Sequence, residues 1–172
     1  MIKYTDITVL KKIVVNIPIL LLFLSVLNEF DFNYLDVKFF AFNFPFILIF
    51  YWSLKKSEIL GYGYIFIAGL INDVVVGFPI GISSFCYLLI CGFASYLRNI
   101  TLRPSLFKDW FFFLFTILVT NSLTYILLIF IFEFELNYNE LLVNLLFTFL
   151  LYILFAYIFD LYHKLVFGRT ND

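Results

Sequence analysis

Few side chains in this sequence are equipped for chemistry. Ser83 and Ser84 follow Gly81 and are potential nucleophiles, and His163, the single histidine, is their potential base. Cys86 and Cys91 are thiols, and Asp73 is a carboxylate set in an apolar stretch. A serine nucleophile needs its base within hydrogen-bond reach, about 3 Å. The two cysteines lie inside one apolar run, with no zinc spacing and no disulfide framework, and read as small fillers of a helix. No Gly-x-x-x-x-Gly-Lys-Ser/Thr pattern is present to cradle a nucleotide. Whether serine meets histidine, and where Asp73 points, depends on the elements that carry them.

Those elements are set by composition. Of 172 residues, 64% are apolar and 13% charged, with a mean hydropathy of +1.04 and a formal net charge of -1. Such a chain is neither disordered, nor a nucleic-acid binder, nor an ordinary soluble enzyme. Its apolar residues come in long runs, as membrane spans require. The sequence therefore reads as an all-α integral membrane protein, a single domain over residues 1–172. Six spans are expected, at about 10–27, 38–54, 61–77, 80–97, 110–132 and 140–162. The first has a basic start, but no small-x-small cleavage pattern follows it, so it reads as a retained span.

Positive charge fixes the expected orientation. With the N-terminus inside, Lys3, Lys11, Lys12, Lys55, Lys56, Arg98, Arg103, Lys108, Lys164 and Arg169 are cytoplasmic, and only Lys38 is outside. Ten against one is a strong positive-inside bias, with both termini cytoplasmic. Trp52 and Trp110 fall beside Lys55 and Lys108, where they are expected to anchor the cytoplasmic interface. Asn99-Ile100-Thr101 matches a glycosylation sequon on the cytoplasmic side, a chance match.

This topology removes the serine–histidine dyad. Ser83 and Ser84 open the fourth span at the outer face and His163 closes the sixth at the inner face, roughly 30 Å away. No catalytic residue, cofactor site or metal site is expected. Asp73 stands about 18 Å along a helix that enters at Gly61, toward the outer face, where the turn at Pro79 is expected to admit water. A carboxylate there costs ~2.5–3.5 kcal/mol on insertion scales. Either it holds the bundle together or it contacts a partner or ligand; a relay has no second buried acid to work with. As bundle glue alone, Asp73→Asn should be nearly silent. Gly69, Asp73 and Gly77 recur every four residues, and Gly81, Ser84, Leu88, Cys91 and Ser95 form a facing stripe. Small residues let helices approach closely in lipid, so spans three and four are expected to pack as a hairpin. Thr116, Thr120 and Thr124, beside Asn121 and Ser122, and then Asn144 and Thr148, form two further stripes read as packing faces.

The run Pro45-Phe-Ile-Leu-Ile-Phe-Tyr51-Trp52, followed by Gly69-Leu70-x-x-Asp73-x-x-x-Gly77-x-Pro79-x-Gly81, resembles the rod-shape-determining MreD family. The likeness extends over most of the chain, although the high Phe and low Ala content departs from a typical member. The resemblance implies a non-enzymatic bacterial inner-membrane protein acting with MreC, the actin-like MreB and the elongation peptidoglycan synthases. It also implies a six-helix transmembrane bundle similar to the S-component fold of vitamin transporters. The third-to-fourth hairpin would then border an outer-side pocket, with Asp73 pointing toward it.

Two functions follow. One is a scaffold that binds partner transmembrane helices in a wall-elongation complex, with Gly69, Asn72, Asp73, Gly77, Pro79, Gly81 and Ser84 as the packing or partner-contact residues. The other is the substrate-binding S component of a vitamin-uptake transporter. S components present small residues four apart on their first span, whereas this one reads Asn16-Ile-Pro18-Ile-Leu-Leu-Leu-Phe-Leu-Ser25. The scaffold is the reading the sequence favours.

Overall fold

The computed structural model describes residues 15–27, 42–101, 105–133 and 138–167. Within them the chain forms six helices: α1 (Ile17–Leu27), α2 (Phe44–Leu60), α3 (Tyr62–Val76), α4 (Ile82–Ile100), α5 (Leu106–Phe132) and α6 (Tyr138–Phe167). No strand occurs among the described residues. Helix suits runs of this composition, because it satisfies every backbone donor and acceptor within the segment where no water is available. α5 and α6 are long and apolar enough to cross a membrane; α1 and α3 are shorter apolar helices. At 1.5 Å per residue, α5 and α6 reach ~40 Å or more, beyond the roughly 30 Å of hydrocarbon.

α2 lies at the centre, against α1, α3, α4 and α6. Its residues from Phe44 to Leu54 are buried on every side, including Ser53 and the large rings of Phe50, Tyr51 and Trp52. A helix apolar all round belongs in a core, not on an amphipathic surface. Aromatic rings set its distance from the late helices. Phe50 meets Phe113 of α5 at 5.0 Å and Tyr152 of α6 at 5.7 Å between centroids, and those two rings stack on each other at 4.4 Å. α5 and α6 turn Phe107, Phe130, Leu142 and Leu165 outward, all strongly exposed. An apolar exterior of this kind is solvated by lipid.

Two expectations change here. Span two was placed at 38–54, but α2 starts at Phe44 and runs to Leu60; residues 38–41 lie outside the described ones. It is broken at Lys56, whose φ of -156° and ψ of 81° are extended, and the chain breaks again at Gly61 (φ 61°) before α3. Nor is Trp52 an interfacial anchor: it is 1% exposed and packs against Tyr51, Phe159 and Tyr162. Trp110 likewise faces protein, stacked on Phe149 at 4.5 Å while its Nε1 donates to the Phe149 carbonyl at 2.9 Å. Adjacent lysines placed both rings near a membrane surface in the sequence; neighbouring rings draw them inward.

Candidate functional site

The connection between α3 and α4 is built around Asp73. Its backbone carbonyl accepts from the N–H groups of Gly77 and Phe78, closing α3. Its carboxylate opens α4: Gly81 N donates to Oδ2 at 2.7 Å and Ser83 N to Oδ1 at 2.8 Å. The reason lies in the N-cap. Gly81 holds a φ of 107°, a conformation that glycine adopts freely, and so α4 has no capping side chain of its own. Asp73 supplies the missing acceptor from the preceding helix, and its negative charge sits at the positive end of the α4 dipole.

Around this pair the remaining polar groups are also engaged. Asn72 Nδ2 donates to Ser83 Oγ at 2.9 Å, and Ser84 Oγ donates to the Phe66 carbonyl at 2.9 Å. Gly69 lies against Ser84 so closely that an added Cβ would fall on the serine backbone, 2.5 Å from its nitrogen. Pro79 sits in the turn, where its carbonyl accepts from Ile82 N at 3.3 Å.

The structure separates residues that the sequence groups on one packing face. Gly69 and Ser84 form the close approach. Gly77 and Gly81 have open space for 4 Å around a Cβ, and their positive φ angles make them turn residues, not packing residues. Cys91 faces α2, where its sulfur accepts from Ser53 Oγ at 3.2 Å. Asp73 itself is 0% exposed, so water does not reach it through the Pro79 turn, and its oxygens point into α4.

Thr116 and Thr124 are buried, and their hydroxyls donate to the carbonyls one turn earlier, at Phe112 and Thr120, at 2.8 Å each. Thr124 Oγ1 is also 2.7 Å from Cys86 Sγ of α4. Thr148 bonds Asn144 O at 2.7 Å and receives the backbone N–H of Asn43 at 2.8 Å, which ties the start of α2 to α6.

Beside the α3–α4 turn lies a cavity of about 390 Å³, to which all six helices or their flanks contribute. Asn43, Asn72, Asn121 and Asn144 line it, with Ser83 and aromatic rings between them; Asp73 does not. Sequence reading had Asn121 and Asn144 on separate stripes and missed Asn43 altogether. Only the folded contact between α2 and α6 unites them.

The opposite ends of α2, α5 and α6 carry a second polar cluster that the sequence did not announce. Tyr51 Oη donates to Asp160 Oδ1 at 2.6 Å, Lys55 stands 4.0 Å from the same oxygen, and Asp109 is 2% exposed. Asp73 is thus not the only buried acid among the described residues, although the other, Asp109, lies at the far end. His163 is beside Trp52, with 6.2 Å between ring centroids. Asn144 shares the cavity with Ser83, and His163 is nineteen residues further along α6, ~28 Å away at the helical rise. Ser83 and His163 do not meet.

Long apolar helices packed around a buried central helix are the build of a helical membrane protein. A family model described as rod shape-determining protein MreD matches residues 10–166, and the chain belongs to that family. No curated protein matches it, and no solved structure does. Family membership gives the protein a role in rod shape determination.

Proposed function

We propose that the protein is a non-enzymatic scaffold of the bacterial wall-elongation complex. It resides in the inner membrane as six spans with both termini cytoplasmic and binds partner membrane proteins: MreC, and through it MreB and the elongation peptidoglycan synthases. The family match over residues 10–166 carries this reading. The geometry fits it, since Asn72, Asp73, Ser83 and Ser84 are bonded within the α3–α4 hairpin itself. Gly69, Asn72, Asp73, Gly77, Pro79, Gly81 and Ser84 hold the hairpin in the shape that partners meet.

Depletion in the bacterium that encodes the protein should turn rods into spheres, and the tagged protein, extracted in mild detergent, should bring MreC with it. Normal rods after depletion, with a vitamin co-purifying in place of MreC, would replace the scaffold by the S-component reading.

A further inference from the structure

We infer that the cavity beside the α3–α4 turn is a binding site for an uncharged ligand carrying an amide and hydroxyl groups, the chemistry of an N-acetylated sugar. Its volume of about 390 Å³ lies within the range of small-molecule sites, about 300–1,000 Å³. Among the described residues, no Asp, Glu, Lys, Arg or His lines it. A charged ligand would therefore be desolvated without a counter-charge, which is costly. Asp73, next to the lining residue Asn72, already has both oxygens occupied by backbone N–H groups.

What the lining offers instead is amide. Asn43, Asn72, Asn121 and Asn144 converge from four separate segments. Each amide presents donors and an acceptor on one planar edge. Asn72 and Asn144 are partly used, by Ser83 and Thr148 respectively. The side chains of Asn43 and Asn121 make no hydrogen bond among the described residues. An unspent amide edge is matched by another amide, donor to acceptor and acceptor to donor. Tyr87 and Tyr125 add rings to the wall, and an aromatic face suits the flat C–H face of a sugar. The inference does not depend on the scaffold reading: a shape-determining protein without this ligand, or this ligand in another class of protein, would each be seen separately.

The test titrates the full-length protein, in detergent, with N-acetylglucosamine, glucose and glucosamine, following intrinsic fluorescence and the thermal midpoint. Saturable binding of N-acetylglucosamine is expected, with glucose at least tenfold weaker for want of the amide and glucosamine weaker still because it is cationic. Octyl N-acetylglucosaminide separates two sources of the same chemistry: tighter binding than the free sugar marks a glycolipid head group, and equal binding a soluble sugar. Asn121→Leu should abolish the response. Asn121→Asp keeps the shape of the side chain and should reverse the preference toward glucosamine, which serves if the leucine variant fails to fold. No saturable response to N-acetylglucosamine, equal responses to all three sugars, or an unchanged order in Asn121→Asp would overturn the assignment.

Discussion

Asp73 carries two N–H donors on two different oxygens, which decides what an amide in its place would do. Asn has one oxygen, and its NH2 group would face a backbone N–H that it cannot satisfy. Asp73→Asn should therefore be destabilising and not silent, by ~1.5–3 kcal/mol for the loss of a hydrogen bond to a charged group. A lowered thermal midpoint in detergent would show it; an unchanged midpoint would mean that the α4 N-terminus finds other acceptors. Tyr51→Phe tests the other end in the same way. It strips Asp160 of its 2.6 Å donor and should cost more than Thr116→Val, whose hydroxyl only bonds its own helix. The type of Asp73 and its place within an apolar helix were legible in the sequence. Its direction was not, because a carboxylate six residues before a proline can point to water, lipid or the next helix with equal ease.

The hairpin assigns different jobs to its glycines. Gly69→Leu should drive α3 from the Ser84 backbone and sharply reduce the folded fraction on size-exclusion chromatography after detergent extraction. Gly77→Ala meets no neighbour and should cost only the left-handed backbone, ~1–2 kcal/mol. If Gly69→Leu were as well folded as Gly77→Ala, the close approach would be relieved by a small rotation of α3. That these two helices pair was readable from small residues at four-residue spacing and the break at Pro79. Which small residue packs and which one turns was not, since spacing reports a face and not a φ angle. α2 was harder still: apolar all round from Phe44 to Trp52, it has no periodic face to betray that it is central. The four asparagines of the cavity were invisible as a group for a related reason, because Asn43 and Asn144 are joined only by the packing of α2 on α6.

At the scale of the whole molecule, the two polar clusters lie at opposite ends: the cavity asparagines at one, Lys55 with Asp109 and Asp160 at the other. In the proposed six-span topology the second cluster falls on the cytoplasmic side, as the lysine and arginine bias expects. Reporter fusions at Glu135 should accordingly be active only as periplasmic reporters, and fusions at Lys56 or after Arg169 only as cytoplasmic ones. A periplasmic C-terminus would remove one of the six spans. The central position of α2 also has a consequence for how the protein is made. The bond from Tyr51 to Asp160 spans 109 residues of sequence, so α2 leaves the ribosome long before the helix that completes its surroundings. At about 5–20 residues per second, it waits on the order of 5–20 s with its tyrosine hydroxyl and one flank uncovered. During that interval an insertase or a membrane protease can engage the nascent chain. A chain cut short before α6 never closes that flank, so quality control can distinguish finished copies from unfinished ones by α2 alone.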